Sequence, residues 1–153
     1  MKKRRRTKSF IRDGRCPIPV SESTSVCMRS NKGKDTGPEV KLRKKLRENG
    51  IYGYRVSYGK LPGRPDIAFV RKKVAIFVNG CFWHRCPLCN LPVPKSHSDF
   101  WQNKFEKNIK RDAEVKKELE AIGWTPLVIW ECQIKRDIQM VVDMIINLVK
   151  ENE

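Results

Sequence analysis

The chain has 153 residues, the length of one domain, and 39% of them are apolar, which is enough for a hydrophobic core. Its 33 Lys and Arg residues against 17 Asp and Glu residues give a net charge of +16, which predicts a polyanionic partner, most often nucleic acid. No apolar run is long enough to span a membrane, and none follows the charged start as in a signal peptide. We therefore expect a soluble intracellular protein without a membrane partner, whose cysteines are thiols or metal ligands rather than disulfides.

The front of the chain differs from the rest. Residues 1–23 are basic and irregular, which predicts a flexible N-terminal arm that can lie along phosphates. Residues 24–153 form the predicted domain. Cys16 and Cys27 lie in the basic front segment and have no partner visible in the sequence.

The first predicted helix lies in the stretch DTGPEVKLRKKLRENG. Asp35 or Thr36 can cap it, Pro38 suits its first turn, and Gly50 ends it. Its modest apolar face consists of Val40, Leu42 and Leu46.

Three β-strands are predicted next, in YRVSY, DIAFV and KVAIFV, and the last two are joined by a tight basic hairpin at Arg71–Lys72. A loop rich in Cys and Pro follows over residues 79–97. Ser98 is predicted to cap a helix of about 25 residues that ends near Gly123. The apolar face of this helix repeats every four residues: Trp101, Phe105, Ile109 and Ala113.

The chain ends with a predicted buried strand, WTPLVIWE, and an amphipathic helix from Ile138 to Val149. The resulting order, α-β-β-β-α-β-α, predicts an α/β layered domain with helices on a mixed sheet. The core carries no obvious dimerisation stripe, so we expect a monomer.

Four cysteines are spaced as metal ligands. Cys81, Cys86 and Cys89 follow the pattern C-x4-C-x2-C, and Cys132 comes directly after the last predicted strand. Four thiolates form a closed tetrahedral site that is typical of structural zinc. Free buried thiols are the alternative interpretation, and His84 is a competing ligand.

Several polar residues are candidates for catalysis. Asp66 directly precedes a strand, where it can present a carboxylate to Mg²⁺, although turn chemistry also explains an Asp at this place. Glu39 is either a solvated helix residue or faces the same site through water. His84 is either an ordinary loop residue or a proton acceptor beside a metal. The long helix carries a polar group that reads most simply as an exposed face: Asn108, Arg111 and Asp112.

Five segments together resemble the very-short-patch-repair (Vsr) DNA mismatch endonucleases: KDTGPEVKLRKKL, LPGRPDIAF, VAIFVNGCFWHRCPLC, FWQNKFEKNIKRD and GWTPLVIWEC. The resemblance runs from about Ser25 to Cys132, and GCFWH with its clustered cysteines is its most specific part. It implies a restriction-endonuclease-like (PD-(D/E)XK-type) αβββαβ core in a bacterial, cytoplasmic, nucleoid-associated enzyme. The implied activity is a Mg²⁺-dependent nick 5′ to the T of a T:G mismatch, formed by deamination of 5-methylcytosine. The implied partners are mismatched double-stranded DNA and mismatch-repair proteins.

The resemblance also implies roles for individual residues. Asp66 matches the metal-binding aspartate, and Val78 matches a position that lends its backbone carbonyl to the metal. His84 matches the catalytic histidine, and Glu39 and Asp112 match acidic residues of the site. The implied ligands of a structural zinc ion are Cys81, Cys86, Cys89 and Cys132.

The implied DNA-binding residues are mainly aromatic. Phe82, Trp83 and Trp101 match side chains that the family inserts beside the mismatched pair, and Met28 matches one that enters from the other groove. Such a wedge unstacks a base step at a cost that is lowest where pairing is already poor. The simpler interpretation of Trp101 is core packing. Further candidates for DNA binding are Arg64, Asn108 and Arg111.

Asn79 departs from the family, which usually has Asp or His there. Asparagine can neither take up a proton at neutral pH nor add a negative charge to a metal site. Asn79 is still counted among the catalytic candidates. Asn79 therefore leaves open a catalytically impaired, zinc-stabilised DNA-binding module. The long basic arm leaves open a related restriction or defence nuclease.

Overall fold

The computed structural model describes residues 17–19 and 21–152, and it divides the chain into two units, Met1–Asn31 and Lys32–Glu153. The described part of the first unit contains one helix, α1 (Glu22–Ser30), whose N-terminus is capped by the hydroxyl of Ser21, which accepts from the Thr24 N–H at 3.2 Å. The sequence analysis did not predict α1, and the helix begins within the predicted arm. Residues 1–16 of that arm, including Cys16, lie outside the described residues.

The second unit contains a four-stranded sheet and four helices among its described residues. Their bounds in chain order are α2 (Gly37–Glu48), β1 (Arg55–Val56), β2 (Ile67–Phe69), β3 (Val74–Asn79), α3 (Ser98–Ala121), β4 (Thr125–Trp130), α4 (Glu131–Arg136) and α5 (Ile138–Glu151). The strands lie in the order β1-β2-β3-β4, with β1, β2 and β3 antiparallel and β4 parallel to β3. The predicted α/β layers and mixed sheet are confirmed, and α4 is an addition.

The hydrophobic core lies between one face of the sheet and the three helices α2, α4 and α5. Because side chains alternate along a strand, Val74 and Ile76 point into this core, and Phe77 and Asn79 lie on the other face. The long helix α3 packs on that other face, where Phe77 and Val115 meet at Gly63. The largest fully buried core side chains are Leu42, Leu46, Ile67, Ile76, Ile129, Ile134 and Ile145. Among the described residues, no helix has the length and apolarity needed to cross a bilayer.

Two predicted helix faces need correction. In α2, Leu42 and Leu46 are buried but Val40 is 48% exposed, because a residue two positions from Leu42 lies about 200° away around the helix. In α3, Ile109 is 50% exposed and Ala113 is also exposed. Positions repeated every four residues rotate by about 40° per step, so the face that starts at Trp101 has turned to solvent by Ala113.

Two smaller predictions also differ from the structure. The N-cap of α3 is His97 in a left-handed conformation, and Ser98 is the first helical residue. The strand β4 was expected to be buried, yet only Ile129 is fully buried. The reason is its place at the edge of the sheet, where it pairs with β3 alone.

Candidate active site

Asp66 lies at the end of the LPGRP loop, directly before β2. The ladder between β2 and β3 begins at Ile67 and Ile76, so Val78 extends beyond it. There the N–H of Val78 donates to Oδ2 of Asp66 at 2.7 Å. The N–H and C=O of one strand residue point to the same side, so the Val78 carbonyl also faces the side of Asp66.

Burial raises the pKa of Asp66 from its usual 3.8 to about 6. The hydrogen bond from Val78 opposes this rise, the negative charge of Glu39 adds to it, and the positive charge of Arg43 lowers it. Burial makes this carboxyl difficult to ionise, and a bound cation would stabilise its ionised form. One carboxylate with a nearby carbonyl suits Mg²⁺, which takes few protein oxygens and keeps several waters. The residues present therefore fit this ion.

The loop before Asp66 depends on a glycine. Gly63 has φ +68°, and a Cβ at this position would lie 2.3 Å from Cγ1 of Val115 on α3. Only glycine adopts both this conformation and this close approach without strain. The next residue, Arg64, is exposed, and its Nε donates to the carbonyl of Ser57 at 3.4 Å. The backbone at Gly63 thus sets the position of both Arg64 and Asp66.

Glu39 is buried on the first turn of α2, with 5% of its surface exposed. Its carboxylate accepts from the Asp35 N–H and from the Thr36 hydroxyl, each at 2.8 Å. The interpretation as a solvated helix residue is therefore wrong. Glu39 holds the segment before the helix in place and adds negative charge near Asp66.

Two side chains of α3 form hydrogen bonds with consecutive residues of the cysteine-rich loop. Asp112 forms a hydrogen bond with Nδ1 of His84, and Asn108, one turn earlier, donates from Nδ2 to the Trp83 carbonyl at 2.9 Å. Binding Nδ1 to a carboxylate leaves Nε2 for chemistry. An exposed polar face is wrong for Asn108 and Asp112, which are half-buried, but correct for Arg111.

Asn79 directly follows Val78 at the end of β3. It is the last residue of β3, is half-buried, and lies on the face of the sheet that carries α3. It offers an amide where a carboxylate or an imidazole would titrate.

The predicted wedge residues form one aromatic cluster. Phe82 lies edge-on to Trp83, Trp101 and Phe105, with ring centroids 5.2, 5.4 and 5.3 Å away. Trp101 is only 8% exposed, which agrees with the core-packing interpretation, whereas Phe82 and Trp83 are half-buried. The Lys104 ammonium lies 5.6 Å from the Trp83 ring, a cation–π distance. Met28 lies on α1 in the first unit and is described only there.

The four predicted zinc ligands come together. The sulfur atoms of Cys81, Cys86, Cys89 and Cys132 all lie within 4.8 Å of one another. Cys86 Sγ and Cys132 Sγ are 3.7 Å apart, close to the roughly 3.8 Å edge of a tetrahedron with Zn–S bonds of about 2.3 Å. The donor set fits zinc, although it could hold another thiophilic metal.

The thiols respond to burial in different ways. Burial raises the pKa of Cys81 to about 12. Burial also acts on Cys86, but the backbone N–H groups of Cys89 and Leu88 bring the pKa of its thiol below the usual value. Such N–H donors stabilise a thiolate, the form that binds metal. Cys27 is exposed on α1 and takes no part in the cluster.

Part of the site is not predicted by the sequence. An open cleft is lined by Lys32, Gly33, Lys34, Ser57, Arg64 and Asp66. Only Arg64 and Asp66 were predicted, because the two lysines belong to a generally basic region. The sequence signal that could have singled out Lys32 and Lys34 was their position directly before Asp35 and Thr36, the candidate N-capping residues of α2.

A buried carboxylate, a histidine hydrogen-bonded to a second carboxylate and a rim of basic residues are together typical of a site that hydrolyses phosphodiesters. Comparison with known proteins points to the same class of enzyme. The family model for DNA mismatch endonuclease Vsr matches residues 20–90. The chain is 40% identical to type II nicking enzyme V.NmeAIP of Neisseria meningitidis over 118 residues, which are 77% of this chain and 84% of the relative. It is 36% identical to V.NaeI of Lentzea aerocolonigenes over 141 residues, 88% of this chain and 84% of the relative.

The DNA mismatch endonuclease Vsr of Escherichia coli is 36% identical over 108 residues, 71% of this chain and 69% of the relative. The chain therefore belongs to the Vsr family of DNA mismatch endonucleases. It is an endonuclease that acts on DNA.

Proposed function

We propose that this endonuclease nicks double-stranded DNA on the 5′ side of the T in a T:G mismatch, in a Mg²⁺-dependent hydrolysis. The observation that carries the proposal is the convergence of Asp66, Val78 and the His84–Asp112 pair at one place in a Vsr-family chain. We assign the domain, residues 24–153, to the PD-(D/E)XK-type fold on the same grounds. Residues 1–23 would act as a basic arm along the phosphates.

Each residue of the site has a separate task in this proposal. Asp66 and the Val78 carbonyl would hold Mg²⁺, which polarises a phosphate and lowers the pKa of a bound water. His84 would take the proton of the attacking water at Nε2, because Asp112 occupies Nδ1 and fixes the orientation of the ring. Glu39 would hold the neighbouring segment and face the ion through water.

The aromatic cluster supports mismatch selection. Phe82 and Trp83, which are half-buried, would insert beside the T:G pair, where the weak pairing lowers the free energy needed to unstack a step. Trp101, which is only 8% exposed, would pack behind them and meet the DNA only at its exposed edge. Asn108 binds the Trp83 backbone and Asp112 binds His84, so the same helix would position the wedge and the adjacent histidine. Met28, from the other groove, and Arg111 remain candidates for DNA contact on the resemblance alone.

We propose that the cysteine cluster holds a structural zinc ion. Cys132, on α4 directly after β4, would tie the loop that carries Phe82 to the end of the neighbouring strand. A rigid loop is what an inserting side chain needs, since a loose wedge would lose the free energy of insertion as conformational entropy. We propose that the enzyme acts as a monomer, with mismatch-repair proteins as further partners.

A strand-resolved nicking assay tests the proposal. The substrates are a duplex with one T:G pair in varied sequence context and its matched control, each with and without added Mg²⁺. Magnesium-free buffer replaces a chelator, because a chelator would also remove metal from the cysteine cluster. We expect a Mg²⁺-dependent nick 5′ to the mismatched T. A cut of equal rate in the matched duplex would instead support a restriction or defence nuclease.

Asn79 favours one second candidate, a DNA-binding protein with impaired cleavage. Its amide occupies a half-buried place on the active-site face, where it cannot exchange a proton. Selective binding of the T:G duplex without a nick would support this candidate. Recovery of the nick in Asn79→Asp would then show that the loss comes from this residue alone.

A further inference from the structure

The cleft above Asp66 has a basic rim made by two separate segments. Lys32 and Lys34 come from the segment before α2, and Arg64 comes from the LPGRP loop. Asp66 is the only acidic residue that lines this cleft among the described residues. Three cations around one carboxylate suit a ligand with negative charge, because they offset its repulsion from Asp66.

Asp35, the nearest acidic residue in the sequence, forms its ion pair with Arg43 and interacts with the two lysines only through their charge. The carboxylate of Asp35 receives a hydrogen bond from Arg43 Nη2 on α2 at 2.6 Å. The Arg43 side chain is only 13% exposed, whereas that of Asp35 is 50% exposed. Among the described residues, neither Lys32 nor Lys34 forms an ion pair, so both charges remain available to a ligand.

The segment that carries the lysines is held in place at three points. Asp35 has a left-handed backbone conformation, with φ 52°, and its N–H donates to Glu39. The Thr36 hydroxyl donates to the same carboxylate, and Arg43 holds the Asp35 side chain. A bend fixed in this way sets the position of Lys34, directly before it, and limits the freedom of Lys32.

We propose that Lys32, Lys34 and Arg64 bind the scissile phosphodiester above Asp66, and that the Asp35–Arg43 ion pair positions the lysines for this contact. That the bound group is the scissile phosphodiester rests on the proposed function. The binding of a phosphate by Lys32, Lys34 and Arg64, which we call the clamp, rests on the position of these residues around the cleft. The lysines and Arg64 contact the substrate, while Arg43 is a positioning residue that contacts Asp35.

The test is a double-mutant cycle between the protein and one linkage of the DNA. Binding of the T:G duplex is measured without Mg²⁺ for the wild type and for the Lys32→Gln, Lys34→Gln double variant. A second duplex carries a neutral methylphosphonate at the linkage 5′ to the mismatched T. We expect the double variant to bind the ordinary duplex roughly tenfold more weakly, with a salt slope smaller by about 1, and to lose little on the methylphosphonate duplex.

The Lys44→Gln, Lys116→Gln double variant is the matched control, because it also removes two positive charges. Lys44 on α2 is 79% exposed and paired with Glu48, and Lys116 on α3 is 61% exposed and paired with Glu120; neither lines the cleft. We expect this control to bind both duplexes as the wild type does. An equal loss for the Lys32→Gln, Lys34→Gln variant on both duplexes would overturn the proposal, because the lysines would then contact a different phosphate. So would an equal loss in the control, which would reduce the effect to net charge.

The positioning role has its own variant. Arg43→Met keeps most of the buried stem and removes the ion pair with Asp35. We expect it to reproduce the loss on the ordinary duplex, and we expect an added Lys34→Gln to have little further effect. If Arg43→Met only lowers the unfolding midpoint while the effect of Lys34→Gln stays at full size, the positioning role is wrong.

These outcomes separate the clamp from the proposed function. If the protein nicks at T:G but the double variant loses the same affinity for the ordinary and the methylphosphonate duplex, the clamp is refuted and the function stays in place. A protein that shows the cycle but does not nick would refute the function and leave the clamp.

Discussion

Replacing Asp66 with asparagine is expected to make the protein more stable while it abolishes nicking. The folded state raises the pKa of this carboxyl from 3.8 to about 6, mainly by burial. At about 1.36 kcal/mol per pKa unit, ionised Asp66 destabilises the metal-free fold by about 3 kcal/mol. The asparagine side chain would retain an oxygen for the Val78 N–H, so the hydrogen bond survives and the charge is lost.

The sign follows from proton linkage. Between pH 3.8 and about 6 the folded state binds more protons than the unfolded state, so the wild type loses stability as the pH rises through this window. The amide of the Asp66→Asn variant does not titrate and escapes this loss. The advantage of Asp66→Asn should therefore be about 3 kcal/mol at pH 8 and about half of that at pH 5.

Urea unfolding followed by tryptophan fluorescence measures this difference in magnesium-free buffer. Added Mg²⁺ should stabilise the wild type and leave Asp66→Asn unchanged, because a ligand stabilises only the state that binds it. A variant that is no more stable than the wild type, or an advantage that does not change with pH, would show that Asp66 is not buried as a strained carboxylate. Nicking by Asp66→Ala would remove it from the active site.

Three further variants test other parts of the molecule. Gly63→Ala should lower the free energy of unfolding by about 2 kcal/mol or more, because it combines a positive φ with a clash against Val115; a stability equal to the wild type would contradict the close approach. Trp83→Ala should weaken discrimination of T:G from matched duplex more than it weakens total binding, and equal losses on both duplexes would argue against the wedge. Cys132→Ser should lower the zinc content and the unfolding midpoint, whereas Cys27→Ser, outside the cluster, should keep both; a zinc-loaded Cys132→Ser would disprove the four-cysteine site.

Some features of this protein follow from short-range chemistry, and the sequence predicted them. Pro38 and Gly50 mark the ends of α2 because each acts on the backbone within a few residues; Thr36 is the N-cap residue, but its side chain makes no capping hydrogen bond. The apolar runs on either side of Arg71–Lys72 predict a hairpin for the same reason. The close spacing of Cys81, Cys86 and Cys89 already indicated a metal site.

Other features depend on how distant segments pack. The burial of Glu39 on α2 was not visible in the sequence, and neither was the partial exposure of β4. A pattern shows which residues share a face, but packing against a neighbour decides how much of that face is covered.

The sequence by itself determined the strands and the helices other than α1 and α4, the basic character of the chain and the resemblance to a nuclease family. Only the tertiary structure brought Cys132 to Cys86, which is 46 residues away, and Asp112 to His84, which is 28 residues away. Only the structure placed Lys32 and Lys34 at the cleft of Asp66. Local propensity acts over a few neighbouring residues, whereas a site built from separate segments exists only once the sheet and helices have packed.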